Sequence, residues 1–355
     1  MAYNRKQRLN DNIKAIETAF ILDREQRTPT ARERLLLERY CGFGGLKCIL
    51  NPARELADAV HWAKSDLELF APTVELHRLI RENSKNESEY KQLMDSLKQS
   101  VLTAFYTPSA VTEALTDVLK EHQIIPEKVL EPSAGIGAFV DSVLDNNPKA
   151  DIMAFEKDLL TGKILRHLHP EQKVRIEGFE KIEKPFNDYF DLAISNIPFG
   201  DVAVFDPSYT AMKGMRALVT RRIHNYFFVK ALDTVRDGGL VAFITSQGVL
   251  NAKNNSAARF MMLYHADLVS AIRLPNNLFT ENANTEVGSD LIILQKNTQK
   301  ESLRGDDNLL DTVYNDENRI PTNNYFLEHP ERIIHTTAKL DTDPFGKPAM
   351  IYTHE

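Results

Sequence analysis

This sequence has little cysteine, no long apolar run and no excess of positive charge. Its two cysteines, Cys41 and Cys48, match no metal-ligand spacing, so neither a disulfide framework nor a zinc site is predicted. No apolar run approaches the roughly 18 residues that a membrane span needs, and the polar N-terminal stretch is unlike a signal peptide. We therefore expect a soluble protein of a reducing cytoplasm, with no metal and no membrane contact.

The charge balance limits how the protein can bind nucleic acid. The net charge is -7 and the pI is about 5.9. Tight, non-specific binders gain their affinity by neutralising phosphates, so this balance argues against a free-standing binder of that kind. Contacts with nucleic acid are expected to come from a local basic patch or from another domain.

The first hundred residues have a helical pattern. Apolar residues repeat at helical spacing from Ile13 to Leu22, and residues 30–33, TARE, have the form of a capping box. The helix that follows is expected to end at the GFGG run of residues 42–45, a run that could instead approach a ligand. Residues 84–100 are polar and charged, and they predict an exposed helix or a partly mobile connection.

From residue 101 the pattern changes to alternating strands and helices. Residues 128–140 predict a strand, a glycine-rich loop and a helix, and Gly135 and Gly137 would let a ligand lie against the backbone near the helix N terminus. The loop has no GK[ST], so it is not a P-loop of the NTPase kind. A second strand, 152–155, ends at Glu156, where nucleoside-binding α/β folds hold ribose hydroxyls. A surface position at a strand end is the alternative for Glu156.

The stretch of residues 190–201, FDLAISNIPFGD, predicts a buried strand that stops in a rigid loop. The Asn196 side-chain oxygen and the Ile197 carbonyl could accept two hydrogen bonds from an exocyclic NH2 group. Pro198 fixes the turn, and Phe199 could stack on a flat ring. An ordinary strand-to-loop turn is the competing interpretation.

These motifs, in this order, resemble those of the amino-group methyltransferases that use S-adenosylmethionine, in particular the N6-adenine DNA methyltransferases. The resemblance runs from FYTP at Phe105, through EPSAGIGAF at Glu131 and the acidic strand end at Glu156, to NIPF at Asn196. Residues 10–297 are also similar to the methylase region of large methylase-helicase proteins of phages and conjugative elements. The chain would then be a stand-alone relative or the methylase portion of something longer.

The resemblance implies a Rossmann-like, seven-stranded α/β methyltransferase fold over residues 101–297. A helical domain would precede it over residues 1–100, and an irregular tail would follow over residues 298–355. The remaining strands are expected at residues 174–177, 240–245, 271–275 and 291–295. The tail has no room for a target-recognition domain of usual size. Sequence specificity would be weak, or would come from the helices, from a basic insert or from a helicase or specificity partner.

For the cofactor, S-adenosylmethionine, the resemblance assigns the glycine loop and Glu131 to the methionine side and Glu156 to both ribose hydroxyls. Phe179 would pack against the cofactor's adenine, with plain core packing as the alternative. The cofactor-binding residues are predicted to be Tyr106, Thr107, Pro108, Glu131, Pro132, Ala134, Gly135, Gly137, Glu156, Phe179 and Asn196.

For the substrate, the resemblance implies DNA whose target adenine is flipped out of the duplex, with Asn196, Ile197, Pro198 and Phe199 as the catalytic loop. The family most often has proline in place of Ile197. Phe279 is a candidate for a second stacking aromatic, and core packing accounts for it equally well. The insert 208–226 would contact DNA phosphates or be a solvated, mobile loop; its basic residues are Lys213, Arg216, Arg221, Arg222 and His224.

Several functions stay open at this point. A loop of this kind can hold any planar amide or amine, so cytosine N4, adenine in RNA and a protein glutamine are rival targets. A non-catalytic DNA-binding or anti-restriction module of a mobile element is a further alternative.

Overall fold

The protein is built on a seven-stranded sheet. A computed structural model describes residues 4–103, 107–212, 214–280, 286–303, 305–314, 319–343 and 346–355. The strands of the sheet are β1 (Lys128–Glu131), β2 (Asp151–Phe155), β3 (Lys173–Arg175), β4 (Phe190–Asn196), β5 (Val235–Ser246), β6 (Ala266–Leu274) and β7 (Ser289–Lys296). All seven strands predicted from the sequence are confirmed, although β5 and β6 begin earlier than predicted.

The order of the strands is β3-β2-β1-β4-β5-β7-β6. The first five are parallel, and β7 runs antiparallel to both of its neighbours. The strand order reverses between β1 and β4, which are hydrogen-bonded to each other. Ligands of open α/β sheets bind at such a switch point, beyond the carboxyl ends of the strands. The predicted methyltransferase fold class is confirmed by this topology, and the loops after β1 and β4 lie at its switch point.

Helices cover both faces of the sheet. Within the described residues they are α1 (Arg5–Glu25), α2 (Ala31–Glu38), α3 (Phe70–Glu82), α4 (Glu87–Thr103), α5 (Ser109–Glu121), α6 (Ala138–Asn146), α7 (Leu159–Leu168), α8 (Pro207–Thr210), α9 (Met215–Val219), α10 (Ile223–Thr234), α11 (Gly248–Asn251), α12 (Ser256–His265) and α13 (Asn324–Glu328). None of these helices is long and apolar enough to cross a membrane.

Alternate residues of each central strand enter two different cores. On β5, Val241 and Phe243 pack with α10 and α12, whereas Ala242 and Ile244 pack with α5 and α6. This alternation follows from the period of two in a strand. Because helices bury both faces, the ends of the strands are the part of the sheet that is open to a ligand.

The N-terminal helices share a core with the sheet domain. Their apolar residues pack against Leu160, Ile164 and Leu168 of α7, the helix that follows β2. A hydrogen bond of 2.5 Å joins the Ser96 hydroxyl of α4 to the Asp158 carboxylate at the start of α7. The boundary placed at residue 100 by the sequence pattern is therefore crossed by a continuous apolar contact.

Two details of this helical region test the sequence patterns. The predicted capping box is confirmed, since the Thr30 hydroxyl accepts from the Glu33 amide and the Glu33 carboxylate from the Thr30 amide. The prediction of an exposed helix or mobile connection at residues 84–100 is wrong for one face of α4. Leu93 and Leu97 on that face are fully buried, because they pack in the core shared with α7.

The tail is more regular than predicted. It contains two antiparallel pairs of strands, β8 (Thr312–Tyr314) with β9 (Pro321–Asn323) and β10 (Thr337–Thr342) with β11 (Pro348–Thr353). Phe326 of α13 is buried in the core beneath α10 and α12. The prediction of an irregular tail is thus wrong for these segments. β8 and β9 have three residues each, too few to show a period, and every residue of β10 is exposed, so that strand has no alternation of buried and exposed residues.

Candidate functional site

The glycine-rich loop joins β1 to α6 at the switch point of the sheet. Gly135 and Gly137 have φ values of 57° and 95°, in the left-handed region where a side chain is disfavoured. Gly137 is the N-cap residue of α6. The Ala134 amide donates to the Phe155 carbonyl at 2.9 Å, which ties the loop to the end of β2. Pro132, Ala134 and Gly137 are buried, whereas Gly135 is half-buried, so the backbone of Gly135 is available to a ligand.

Glu156 holds this loop from the end of the neighbouring strand. One carboxylate oxygen accepts from the Gly135 amide at 2.8 Å and the other from the Asp158 amide at 2.7 Å. Burial, together with the nearby Asp158 carboxylate, raises the pKa of Glu156 to about 8 despite these bonds. The side chain is half-buried rather than fully exposed. Glu156 therefore lies against the glycine loop, which disfavours the alternative of a plain surface residue.

Glu131 is a buried carboxyl at the end of β1. Its side chain is 1% exposed, and burial raises its pKa well above the ordinary value. The Ser195 hydroxyl lies within hydrogen-bonding reach of it. Among the described residues, no group pairs with its Oε2 atom. An unfilled acceptor at this depth would be satisfied by an ammonium group, so the residues present fit the methionine end of S-adenosylmethionine.

The Asn196 loop begins where β4 ends. Asn196 is the last residue of the strand and is half-buried. The Ile197 amide donates to the Ile244 carbonyl of β5 at 3.0 Å, and the Ile197 side chain is 1% exposed. Phe199 is partly buried against the core beneath α5 and α6. Ile197 thus anchors a loop on which Asn196, Pro198 and Phe199 remain at least partly accessible.

The two other aromatic candidates are core residues in this structure. Phe279 is fully buried, in the same cluster against which Phe199 packs. Phe179 is 1% exposed, and its ring contacts those of Phe155 and Phe227 at centroid distances of 5.9 and 5.3 Å. Core packing accounts for both rings here. Their contacts with a flipped base and with the cofactor's adenine stay predictions.

Of the FYTP motif, Thr107 and Pro108 can be placed. Thr107 is buried, and Pro108 is the N-cap residue of α5. The Pro108 carbonyl accepts from the Val111 amide at 3.0 Å. Tyr106 lies outside the described residues. The motif therefore leads into α5, and its contact with a cofactor stays a prediction.

Two basic residues of the insert, Arg216 and His224, are not available to DNA as the sequence pattern predicted. Arg216 forms a bidentate ion pair with Asp233 of α10, at 2.6 and 2.9 Å. His224 is buried, and burial, with the nearby Arg222 guanidinium, lowers its pKa to about 4, so it is uncharged at neutral pH. Neither side chain is a free cation for DNA. The sequence pattern missed this because the acidic partner of Arg216 lies outside the insert.

The other two arginines that can be placed remain near the surface. Arg222 pairs with Asp201 at 2.9 Å and donates to the side chains of Asn254 and Asn255. Arg221 is exposed. Lys213 lies outside the described residues. The predicted phosphate contacts therefore concentrate on Arg221 and Arg222, at the N terminus of α10.

Sequence reasoning also missed two supporting residues. Ser195 neighbours Glu131, as described above, and its hydroxyl donates to the Ser133 carbonyl at 3.3 Å. Asp158 caps α7 by accepting from the Thr161 amide at 2.7 Å. A signal existed for Asp158, because an aspartate directly before an apolar helical repeat is a typical N-cap. A serine within a buried strand gives no such signal.

Comparison with known proteins identifies the family. The sheet order and the glycine loop define the fold of the S-adenosylmethionine-dependent methyltransferases. The family model described as N-6 DNA Methylase matches residues 88–350, well over half of the chain. The chain belongs to the N-6 DNA methylase family.

Individual relatives are more distant. The chain is 29% identical to the Defense against restriction protein B of Escherichia phage P1, over 55% of this chain and 8% of that protein. It is 25% identical to the Type II methyltransferase M.XamI of Xanthomonas campestris pv. amaranthicola, over 45% of this chain and 33% of that protein. The chain thus spans at most about a third of the length of these two relatives.

Solved structures are similar in fold. One, from Vibrio vulnificus YJ016, is assigned as the modification subunit of a type I restriction enzyme. It is 15% identical with a TM-score of 0.47, over 81% of this chain and 67% of that chain. As for metals, no group of three or more histidine, cysteine, aspartate or glutamate residues in the described part of the chain is placed to hold an ion.

Proposed function

We propose that this protein transfers the methyl group of S-adenosylmethionine to the N6 amino group of adenine in DNA. The observation that carries the proposal is the placement of two loops on neighbouring strands. The glycine loop, with Glu131 and Glu156 beside it, follows β1, and the Asn196 loop follows β4, which is paired with β1. A cofactor on the first loop and a base on the second would meet at the switch point.

The cofactor half of the reaction rests on two carboxyl groups. Glu131 would hold the amino group of the methionine end, and Glu156 would accept from both ribose hydroxyls. The backbone of Gly135 and Gly137 would lie against the bound molecule. When bound, S-adenosylmethionine supplies a methyl group on a sulfonium sulfur, which is an electrophile that needs no further activation.

The target half must activate a weak nucleophile. The lone pair of adenine N6 is delocalised into the ring, and the Asn196 side-chain oxygen and the Ile197 carbonyl would localise it by accepting from the two N–H groups. These two acceptors would present N6 to the methyl group that S-adenosylmethionine would supply, and the methylated nitrogen would release its proton to water. Phe199 would stack on the base. Positioning and preorganised acceptors of this kind supply much of the rate acceleration.

Adenine is favoured over other targets by the family match, since the model is that of N-6 DNA methylases. DNA is favoured over protein glutamine by Arg221 and Arg222 at the side of the Asn196 loop, because arginines near the mouth of a site suit phosphates. We expect sequence specificity to require a partner, such as a helicase or specificity subunit.

A second candidate function is protection of DNA without turnover. The relative in phage P1 is named for defence against restriction, and a methyltransferase fold that only binds DNA could shield it from a nuclease. The glycine loop anchored on Glu156 and the buried acceptor on Glu131 speak against this alternative, because a module that has lost turnover has no need to keep these predicted cofactor-binding groups.

The test is transfer of labelled methyl groups from S-adenosylmethionine to DNA, RNA and total protein, with digestion to identify the modified group. We expect N6-methyladenine in DNA, reduced about 100-fold or more in Asn196→Ala. The matched control is Asn187→Ala, an exposed asparagine just before the other end of β4, which should keep full activity. Calorimetry with S-adenosylmethionine should show equal cofactor binding for the wild type and Asn187→Ala, and for Asn196→Ala it measures the share of Asn196 in cofactor binding separately from the loss of methyl transfer.

The other outcomes have distinct meanings. Label on cytosine N4, on RNA or on glutamine would replace adenine in DNA as the target. Protection of DNA from a nuclease by Asn196→Ala, without methyl transfer by the wild type, would establish the non-catalytic alternative. Absence of label on every substrate, with the cofactor bound, would overturn the proposal for the chain acting alone.

A further inference from the structure

A cavity lined by both polar and apolar side chains lies beside the Asn196 loop. It has a volume of about 350 Å³, and its polar lining consists of Arg221, Arg222, Asn225, Asn254 and Asn255. These residues belong to the start of α10 and to the segment just before α12. Both helices return from the carboxyl ends of strands, α10 after β4 and α12 after β5, so the cavity opens at the same end of the sheet as the glycine loop and Asn196.

One ion pair joins the cavity directly to the Asn196 loop. The Arg222 guanidinium contacts the carboxylate of Asp201 at 2.9 Å, and Asp201 is five positions after Asn196 in the chain. The same guanidinium donates to the Asn254 and Asn255 side-chain oxygens, at 2.6 Å each. Arg222 is therefore held in place on the wall of the cavity, next to the loop expected to bind the target base.

Arg221, unlike Arg222, is not fixed by an ion pair with any residue that the structure describes, and its side chain is exposed. Asn255, the N-cap residue of α12, does not cap the first turn of that helix, because its side-chain oxygen accepts from Arg222 and Asn225 instead. The Asp201 carboxylate offsets the charge of Arg222, so the positive character that suits a phosphate comes from Arg221 and from the uncapped helix N terminus, with the N–H groups of Arg222 as further donors.

Asn225 gives the cavity a second kind of hydrogen-bonding group. The side chain is 4% exposed, and within the described residues its Oδ1 atom has no hydrogen-bond partner. The orientation of the amide is set by its neighbours. Asn255 donates from Nδ2 to the Gly248 carbonyl at 2.7 Å, so its oxygen faces Asn225 and accepts from Asn225 Nδ2 at 2.9 Å. A buried acceptor is thus left over, and it requires a donor.

We propose that this cavity binds one nucleotide of the DNA strand that carries the target adenine, next to that adenine. The phosphate would contact Arg221 and Arg222, and a donor on the base would bind the Asn225 oxygen. Phosphate contacts position a strand without reading its sequence, whereas a contact to a base edge reads it. The inference rests on the proposed function and adds to it a pocket that selects the nucleotide flanking the target.

The phosphate contact is tested by the salt dependence of binding to a fluorescein-labelled DNA duplex. We expect Arg221→Gln to weaken binding and to reduce the slope of log Kd against log salt by about 0.9, the value for one lost phosphate contact. The matched control is Arg166→Gln, which removes an equal exposed charge near the end of α7. Equal slopes for Arg221→Gln and Arg166→Gln would overturn the phosphate contact.

The base contact is tested by methylation of a duplex library randomised around adenine. We expect Asn225→Ala to lose preference at one flanking position, and Arg221→Gln to lower methylation evenly across all sequences. An unchanged preference in Asn225→Ala would overturn the base contact. If Asn225→Ala fails to fold in a thermal denaturation check, Asn225→Asp, which keeps an acceptor, replaces it and should keep the preference; loss of the preference in Asn225→Asp would overturn the contact.

Failure of this inference is distinguishable from failure of the proposed function. If wild-type protein methylates no adenine in DNA, the proposed function is wrong and this inference is withdrawn with it. If wild-type protein methylates DNA while Arg221→Gln and Asn225→Ala behave as wild type does, the proposed function stands and the cavity has no role in it.

Discussion

The two halves of the candidate site are held together by different kinds of contact. In the cofactor half, formed by the loops after β1 and β2, Glu156 accepts from the amides of Gly135 and Asp158. In the target half, formed by residues 196–225, Arg216 and Arg222 are held by ion pairs with Asp233 and Asp201, which are distant from them in sequence. Backbone donors hold the key carboxylate of the first half, and side-chain ion pairs hold two arginines of the second.

This difference separates what a motif can predict from what it cannot. A backbone amide is present whatever the residue, so a short motif that sets the turn also sets the contact. An ion pair needs a specific partner elsewhere in the chain. The cofactor half therefore follows from local sequence, whereas the roles of the target-half arginines depend on the tertiary structure.

The largest expected effect concerns a backbone hydrogen bond that anchors the Asn196 loop to β5. Ile197→Pro would restore the residue most common in the family, but it removes the amide that donates to Ile244 and a fully buried side chain. We expect a loss of about 3 kcal/mol in the free energy of unfolding, measured with urea. Ile197→Val keeps the amide and should lose about 1 kcal/mol. A stable Ile197→Pro protein would show that the backbone bond does not anchor this loop.

The next effect concerns the acceptor that holds the glycine loop. Glu156→Ala removes the partner of the Gly135 amide and the proposed partner of the ribose, so we expect about 100-fold weaker cofactor binding by calorimetry, or about 2.7 kcal/mol. Because its pKa is raised to about 8, wild-type affinity should fall as the pH drops below that value. Glu183→Gln, which removes an exposed carboxylate near β3, should bind normally. Equal affinity in Glu156→Ala would remove this residue from the cofactor site.

A smaller effect is expected for substitution of Glu131, which should weaken cofactor binding but stabilise the fold. Since its folded-state pKa lies well above the ordinary value of 4.5, the stability that the protonated carboxyl contributes is fully present below pH 4.5 and is lost progressively as the pH rises above it. Glu131→Gln should therefore have a higher Tm than the wild type at pH 8 and a similar Tm at pH 4. Cofactor binding should weaken about tenfold through loss of the charge. A variant that binds the cofactor normally would show that the carboxyl has only a structural role.

The smallest effect is expected where the target half is held by an ion pair. Arg216→Gln breaks the ion pair with Asp233. Both side chains of this pair are about a quarter exposed, so we expect the variant to be less stable by about 1 kcal/mol. It should leave the salt dependence of DNA binding unchanged, unlike Arg221→Gln. Arg78→Gln, which breaks an exposed pair with Glu75 on α3, should change stability less. A reduced salt slope in Arg216→Gln would return this residue to the DNA-contacting set.

Much of the sheet and of the cofactor half could be predicted from the sequence. The strands are short apolar runs with clear ends, and Gly135, Gly137 and Glu156 mark the turns between them. The position of Asn196 at the end of β4 could be predicted as well, because the apolar run stops there. These features depend on a few consecutive residues, which is the range over which composition and spacing are informative.

Other features could not be predicted, for physical reasons. Phe179 and Phe279 have the same local pattern whether their rings face a ligand or the core, and only the packing of the whole chain puts both in the core. The insert contains no acidic residue, so Arg216 resembles a free cation until α10 brings Asp233 to it. The hairpin of β10 and β11 gives no alternation of buried and exposed residues on β10, because every residue of that strand is exposed.

The core shared by the N-terminal helices and α7 limits how this protein can be recombined. A gene fragment that starts at residue 101, where the sequence pattern changes, would encode α7 without the cover over Leu160, Ile164 and Leu168. It would also lack Ser96, whose partner Asp158 donates its own amide to Glu156 at 2.7 Å. Exchange of the methylase between genomes would therefore preserve function only when the N-terminal helices are inherited with it as one block.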